Sequence, residues 1–213
     1  MYRFYGFRNP LMLFFLVCTL VSCGVTNKPT LESIVADENI DVAIFAGGCF
    51  WCTESDFDKV PGVVATISGY IGGTVVNPTY EQVVSGGTGH VEAVQVYYDT
   101  TQTDFAKLLS AYWLTIDPVA VDRQFCDVGA QYRAVIFYRD AAQHALAKDS
   151  KKTLEDSGQF SQPITTEIQS VSEFYPAEDY HQDYYLKNPS RYERYRNNCG
   201  RDKRLMSLWG RKH

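Results

Sequence analysis

The residues with the most evident chemistry are Cys49 and Cys52, in the segment Gly47-Gly48-Cys49-Phe50-Trp51-Cys52. This segment follows the apolar run 42–46, so the thiols lie where a predicted buried strand gives way to a helix. The two glycines permit a tight turn, and the free N–H groups of a helix start stabilise a thiolate, lowering a thiol pKa from about 8.5 towards roughly 3.5–7.5. A thiol three residues further on lies one turn away, within reach of a disulfide. The motif predicts redox or metal chemistry, with a pair of buried structural cysteines as the alternative.

The first 22 residues have the layout of a signal peptide. Two arginines and no acid precede the apolar run 11–22, which is too short to span a membrane comfortably. The sequence Leu20-Val21-Ser22-Cys23-Gly24 is similar to a bacterial lipobox, so we expect cleavage before Cys23 and lipidation of that cysteine. An ordinary exported protein cut near Ser22, or an apolar N-terminus that stays attached, is the alternative. We therefore expect a membrane-anchored lipoprotein outside the cytoplasm, facing the periplasm or the cell surface.

Composition and hydrophobic patterning predict one globular domain after this N-terminal segment. The chain has 213 residues, 45% of them hydrophobic, which is enough for a single core. Its net charge of −5 indicates no general affinity for nucleic acid. Residues 23–40 are polar, contain Pro29 and lack periodicity, so they are predicted to be a flexible tether. The folded domain is expected over residues 41–213.

Segments with the hydrophobic periodicity of strands alternate with segments that have the periodicity of helices, which predicts a mixed α/β fold. Strands are expected over 42–46, 63–67, 90–98 and 131–138, and helices over 50–59, 79–85, 105–116 and 140–157. Without the short helix 79–85, the order is β-α-β-β-α-β, the split-βαβ arrangement of ferredoxin-like α/β (α+β) sandwiches. One further strand is expected over 165–171, followed by an irregular C-terminal wrap rich in tyrosine, proline and asparagine.

Four polar side chains outside the cysteine motif are candidates for a site. Glu92 shares a strand face with apolar residues, and burial there would keep its carboxyl protonated and able to give a proton to a substrate oxygen. Tyr80, in the short helix, and Tyr132, at the start of a strand, could each present a phenol to a polar substrate atom. Asp127 could orient a ligand or cap a turn. The alternatives are a solvent-facing glutamate and tyrosines that serve only the core.

Several separated motifs together make the chain similar to type A peptide methionine sulfoxide reductases. In chain order they are Gly47-Gly48-Cys49-Phe50-Trp51, Asn77-Pro78-Thr79-Tyr80, the run 86–92 (Gly-Gly-Thr-Gly-His-Val-Glu), the run 127–133 (Asp-Val-Gly-Ala-Gln-Tyr-Arg), and the run 174–182 (Phe-Tyr-Pro-Ala-Glu-Asp-Tyr-His-Gln). The resemblance covers about 41–181 in register. The family's fold is an α/β sandwich of the split-βαβ kind, which agrees with the order of elements above.

The resemblance implies a role for each candidate residue. Cys49 would be the nucleophile that attacks the sulfoxide sulfur and becomes a sulfenic acid. The other assignments are Phe50 and Trp51 as the pocket for the substrate's S-methyl group, Glu92, Tyr80 and Tyr132 as the groups that bind and protonate the oxygen, and Asp127 as a residue that helps to hold the substrate. The implied activity is reduction of methionine-S-sulfoxide, free or in proteins, in the repair of proteins damaged by oxidative stress.

The chain departs from the commonest family pattern at Cys52, where most relatives have glycine. Some members use a thiol at this position, so Cys52 is the expected resolving residue, with Cys199 as a backup or second relay. Cys126 stands where many relatives have asparagine, and its role is left open. A thioredoxin-like reductant would reduce the resulting disulfide. We expect a monomer with no cofactor and no metal.

Two functions from other classes compete with this interpretation. A thioredoxin-like disulfide oxidoreductase would also place Cys-x-x-Cys after a strand, but it has no need of Glu92 or of an aromatic pocket. A structural zinc lipoprotein could use all four cysteines of the domain, although zinc sites usually draw on two close pairs and only one is present.

Overall fold

The computed structural model describes residues 31–210 together with Met1. The predicted signal peptide, the lipidation residue Cys23 and the first part of the tether lie outside these residues. The strands are β1 (Ile40–Gly47), β2 (Val63–Ile71), β3 (Val91–Asp99), β4 (Arg123–Gln124), β5 (Asp127–Val128), β6 (Ala134–Tyr138), β7 (Glu167–Ser170) and β8 (Tyr175–Pro176). The helices are α1 (Leu31–Val35), α2 (Phe50–Phe57), α3 (Tyr80–Val84), α4 (Phe105–Leu114), α5 (Ala141–Asp156), α6 (Tyr184–Lys187), α7 (Pro189–Asn198) and α8 (Arg201–Trp209).

Six strands form one mixed sheet in the order β7-β6-β1-β3-β2-β8. Strand β3 is antiparallel to both β1 and β2, and β1 is antiparallel to β6. The central order β6-β1-β3-β2 is therefore that of the split βαβ unit, so the predicted ferredoxin-like topology is confirmed. Strand β7 extends the sheet parallel to β6, and β8 extends it antiparallel to β2.

The core lies mainly between this sheet and helices α2, α4 and α5. Successive side chains of β1 alternate between its two faces, so Phe45 points to the helices and Ile44 joins a smaller cluster on the opposite face. The ring of Phe45 stacks on Phe57 of α2 and on Tyr112 of α4, with 4.9 Å between ring centroids in each pair. This packing holds the C-terminal end of α2 against the centre of the sheet.

One predicted strand begins later than expected. The pattern over 131–138 suggested that Tyr132 lies in a strand, but β6 begins at Ala134 and Tyr132 belongs to a short 3-10 helix, Ala130–Tyr132. The N–H of Tyr132 donates to the carbonyl of Gly129 at 2.9 Å, which closes this turn. Gly129 has φ of +139°, a backbone conformation that favours glycine. The prediction for Tyr132 was wrong because this local turn interrupts the alternating pattern.

The C-terminal segment is more regular than the expected wrap. It contains α6, α7 and α8, although their sequences are mostly polar and rich in tyrosine and arginine. Buried polar contacts hold these helices to the domain. Arg196 donates to Asp56 at 2.8 Å, and Arg201, which is 1% exposed, donates to the carbonyls of Gly47 and Thr115 at 3.2 and 2.8 Å.

The last part of the predicted tether contacts the domain. Helix α1 lies within it, and the side chain of Ile34 is buried. Within residues 31–210, the helices are all too short or too polar to cross a membrane.

Candidate active site

The predicted site residues meet at one small cavity beside the start of α2. Its lining comprises Cys49, Phe50, Trp51, Tyr80, Glu92, Asp127, Tyr132 and Tyr195. Gly48 makes the turn that brings Cys49 there: its φ is +86°, and a Cβ at this position would lie 2.5 Å from Cβ of Gln124. Only glycine satisfies both conditions without a shift of the neighbouring chain. The turn expected from the two glycines is therefore present.

Cys49 is the residue immediately before α2 and is 7% exposed. Burial, with further contributions from Cys52 and Glu92, raises the pKa of its thiol well above the usual value, while a hydrogen bond with Tyr195 opposes this. The sequence had led us to expect a lowered pKa at a helix start. That expectation was wrong for Cys49, because the cost of burying a thiolate outweighs the favourable helix N-terminus.

Cys52 lies one turn along α2, and its thiol is hydrogen-bonded to that of Cys49. This bond lowers the pKa of Cys52, and the positive charges of Arg201 and Arg196 lower it further, against the effect of burial. Both thiols are free in this structure. The pKa values of the two thiols therefore shift in opposite directions. The cationic side chains of the C-terminal helices help to lower that of Cys52.

Glu92 closes the cavity from strand β3 and is 2% exposed. Its Oε2 accepts the N–H of Phe50, the first residue of α2, at 2.9 Å. Burial raises the pKa of this carboxyl to about 8, with smaller contributions from Asp127 and Cys52, although the Phe50 hydrogen bond opposes the shift. The carboxyl is accordingly neutral near pH 7 and can donate a proton, as its position on an apolar strand face had suggested.

The remaining polar groups of the cavity are phenols and one carboxyl. Burial and the nearby Glu92 raise the pKa values of Tyr80 and Tyr132, so both hydroxyls remain protonated donors. The hydroxyl of Tyr195 donates to Oδ2 of Asp127 at 2.5 Å, and burial raises the pKa of Asp127. The backbone N–H of Tyr80 donates to Glu178 at 2.9 Å, which fixes the start of α3 beside the cavity.

Sequence reasoning missed two residues at this site. Tyr195 of α7 lines the cavity, and His181 accepts a hydrogen bond from Trp51 without lining it. The signal for Tyr195 was the recurrence of Tyr192, Tyr195 and Cys199 at helical spacing behind Pro189. His181 falls within a family motif, but nothing in the motif indicates its partner.

A disulfide joins Cys126 to Cys199 beside the cavity wall. Cys126 directly precedes Asp127, and Cys199 ends the helix that carries Tyr195, so the disulfide ties together the two elements that bear this pair. Cys199 is therefore not a free thiol in this structure. The disulfide also takes two of the four thiols that the zinc alternative required, so that alternative is not favoured.

The fold, and a cavity that brings a free thiol together with a neutral carboxyl, are those of a thiol-based oxidoreductase. Residues 41–213 match the family model described as peptide methionine sulfoxide reductase. The peptide methionine sulfoxide reductase MsrA of Halalkalibacterium halodurans is 50% identical over 175 residues, which are 82% of this chain and 99% of that protein.

Solved structures show the same fold. Methionine sulfoxide reductase A of Corynebacterium diphtheriae is 34% identical, with a TM-score of 0.64 over 72% of this chain and 77% of that chain. Reduced Mxr1 from Saccharomyces cerevisiae is 29% identical, with a TM-score of 0.67 over 71% of this chain and 87% of that one. The chain belongs to the peptide methionine sulfoxide reductase family, so the resemblance seen in the motifs is confirmed. It is an oxidoreductase, and a thioredoxin-like disulfide oxidoreductase is not favoured.

Proposed function

We propose that this chain reduces methionine-S-sulfoxide, both free and within oxidised proteins, through a sulfenic acid on Cys49. The observation that carries the proposal is the juxtaposition of a free thiol, a neutral buried Glu92 and two protonated phenols around one cavity. A sulfoxide sulfur becomes a good electrophile when its oxygen is protonated or strongly hydrogen-bonded. The site supplies a proton donor, two further hydrogen-bond donors and a nucleophile.

The first step transfers oxygen from the substrate to Cys49. Glu92 gives its proton to the sulfoxide oxygen while the sulfur of Cys49 attacks the sulfoxide sulfur. The hydroxyl then passes to Cys49, methionine leaves, and the proton of the Cys49 thiol replaces the one lost by Glu92. The substrate sulfur gains two electrons and Cys49 loses two, becoming a sulfenic acid.

The groups around the nucleophile orient the substrate for this step. Tyr80 and Tyr132 hold the oxygen as hydrogen-bond donors, while Phe50 and Trp51 form an apolar wall for the S-methyl group. Asp127, hydrogen-bonded to Tyr195, contacts the polar part of the substrate. Because these groups come from different parts of the chain, the substrate is fixed from several directions.

Cys52 resolves the sulfenic acid in this proposal. Its thiol already contacts that of Cys49, and their condensation releases water and forms a disulfide. The two sulfurs are buried, at 7% and 1% residue exposure, whereas Cys126 is exposed. An external dithiol therefore reaches the Cys126–Cys199 pair more readily, which supports Cys199 as a second relay. A thioredoxin-like protein would reduce that pair, with no metal or other cofactor in the cycle.

We also propose that the protein works outside the cytoplasm as a membrane-anchored monomer. The support is the charge and apolar layout of residues 1–22 and the lipobox-like sequence that ends at Cys23. A lipid on Cys23 would hold the domain at the membrane surface through the remaining tether.

Cys49→Ser tests the proposed chemistry most directly. We expect this variant to reduce neither free nor peptidyl methionine-S-sulfoxide, because serine is a poor nucleophile and cannot form a sulfenic acid. Release of methionine, measured with a thioredoxin system, is the readout, and the wild-type protein with methionine-R-sulfoxide is the control. Turnover by Cys49→Ser at the wild-type rate would show that another residue attacks the substrate.

A further inference from the structure

The two cysteines of the Cys126–Cys199 disulfide differ in their surroundings. Cys126 is exposed, whereas Cys199 is half-buried. Cys199 follows the last residue of α7, and its N–H donates to the carbonyl of Tyr195, one turn earlier, at 2.9 Å. Because Tyr195 lines the cavity that contains Cys49, Cys199 lies at the end of an element that reaches the cavity. Cys126 is the member of the pair that is open to solvent.

Cys126 lies in the turn of the hairpin formed by β4 and β5. Gln124 pairs with Asp127, so Phe125 and Cys126 form a two-residue turn between the strands. The inner side of the hairpin is fixed by the fully buried Gln124, whose side-chain amide donates to the carbonyl of Asp117 and accepts its N–H, each at 2.8 Å. The hairpin therefore holds Cys126 at the surface.

Two exposed valines belong to the same hairpin segment. Val121 is 65% exposed and Val128 is 67% exposed. The N–H of Gly129 donates to the carbonyl of Asp122 at 2.8 Å, which keeps the two ends of the segment together. Single exposed apolar residues are ordinary, but here two of them accompany an exposed sulfur that a redox partner must reach. Apolar side chains around a reacting group suit the core of a small protein–protein contact.

A hydrogen bond within the disulfide favours one direction of cleavage. The N–H of Cys126 donates to Sγ of Cys199 at 3.1 Å. If the S–S bond breaks so that the charge falls on Cys199, this N–H stabilises the thiolate that forms. A better stabilised thiolate leaves faster in thiol–disulfide exchange. Attack on Cys126, with Cys199 as the leaving group, is therefore favoured by both access and leaving-group stability.

We propose that Cys126 is the sulfur attacked by the external reductant, and that the exposed surface around Val121 and Val128 is where this reductant, a thioredoxin-like dithiol protein, docks. The inference rests on the proposed function, in which such a protein reduces this disulfide. The reductant's thiolate bonds to Sγ of Cys126, and Cys199 leaves with the electron pair. The second thiol of the reductant then attacks the mixed disulfide, frees Cys126 and leaves the reductant oxidised. The pair gains two electrons, and Cys199 becomes a thiol again beside the cavity.

A second route leads to the other sulfur of the pair. Cys199 borders a surface pocket that is also lined by Arg123, Phe125 and Arg204. A small thiol can enter such a pocket, whereas the attacking thiol of a folded protein needs an exposed target such as the turn at Cys126. Protein and small-molecule reductants therefore separate the two routes.

Trapping the mixed disulfide identifies the attacked sulfur. A thioredoxin whose second cysteine is replaced by serine cannot complete the exchange, so its complex with the Cys49→Ser/Cys52→Ser chain persists. After quenching with N-ethylmaleimide, peptide mass spectrometry locates the linkage. We expect thioredoxin on Cys126 and N-ethylmaleimide on Cys199. Thioredoxin linked to Cys199 would overturn the assignment.

The double variant Val121→Ser/Val128→Ser tests the docking surface. In turnover of N-acetyl-methionine-S-sulfoxide, we expect its kcat/KM for thioredoxin to fall several-fold and its rate with dithiothreitol to equal that of the wild type. Leu146→Ser, which alters an exposed apolar residue of α5, is the matched control and should change neither value. An unchanged kcat/KM for thioredoxin, or an equal fall with dithiothreitol, would overturn the docking surface. Absence of turnover by the wild-type chain with either reductant would instead refute the proposed function.

Discussion

Glu92 has its proton because of where it is buried rather than because of its residue type. A second buried glutamate, Glu54 of α2, also has a pKa raised by burial to about 8, yet it lies outside the cavity lining. Burial therefore raises the pKa of both carboxyls, but only that of Glu92 lies in the cavity with the thiol of Cys49. A raised pKa identifies a candidate acid, and its position decides whether it can act as one.

The pH dependence of the first step should report the proton on Glu92. Because its pKa is about 8, Glu92 is protonated below that pH and the single-turnover rate should fall as pH rises through it. Glu92→Gln should slow the step by about 10²–10⁴-fold, as expected for loss of a general acid, and should remove this decrease. Rapid-quench measurement of methionine formed per chain provides the rate.

Glu54→Gln is the matched control for that experiment. It removes a buried carboxyl of similar pKa from α2 without changing the cavity lining, so the decrease in rate near pH 8 should remain. An unaltered single-turnover rate in Glu92→Gln would remove Glu92 from the mechanism.

At the scale of elements, the C-terminal helices complete a site that the sheet and α2 begin. Helix α7 contributes Tyr195 to the cavity and ends at Cys199, whose disulfide with Cys126 lies beside the wall. Arg196 of α7 and Arg201 of α8 act on Cys52. The segment expected as an irregular wrap therefore contributes a side chain to the cavity lining and lowers the pKa of the second thiol, that of Cys52.

The two cysteine pairs should be distinguishable by counting products without an external reductant. Each methionine formed takes two electrons, so a fully reduced wild-type chain should yield two methionines if Cys126 and Cys199 receive the disulfide from Cys49 and Cys52 by thiol exchange. The double variant Cys126→Ser/Cys199→Ser should yield one, as should wild-type protein with the Cys126–Cys199 disulfide left intact. One methionine from the fully reduced wild type would show that this disulfide is outside the cycle.

Cys52→Ser tests the order of resolution in the same assay. We expect one methionine per chain and no turnover with thioredoxin, because the sulfenic acid on Cys49 then lacks its adjacent thiol. Full multiple turnover would assign the resolving role to another cysteine.

At the scale of the whole molecule, the described domain contains the complete cavity, and the residues before it bear on where the protein works. If Cys23 is lipidated, the mature chain should begin at that residue and carry the added mass of a diacylglyceryl group. Intact-mass spectrometry of protein extracted from membranes measures this, and Cys23→Ala should move the protein to the soluble fraction. A mature chain that begins at Cys23 without acyl mass would refute the anchor.

Local patterns were sufficient to predict the central fold. Strands such as β1 and β3 and helices such as α4 carry their own apolar periodicity, and the order of these elements along the chain is that of the split βαβ arrangement. The helices α7 and α8 are mostly polar in sequence, and buried contacts of Arg196 and Arg201 with distant residues hold them in place. Tyr132 was misplaced for a similar reason, since a glycine turn overrides the alternating pattern.

The motifs also predicted most of the residues that line the cavity, among them the thiol, the acid and the apolar side chains that sulfoxide reduction would need. Tertiary structure decided how these residues behave. Burial raises the pKa of Cys49 against the effect of its helix start, and it keeps Glu92 neutral. The pairing of Cys126 with Cys199 spans 73 residues, and the bond from Trp51 to His181 spans 130. Residue types and their spacing follow from the chain alone, whereas desolvation and contacts between distant residues exist only once the chain is folded.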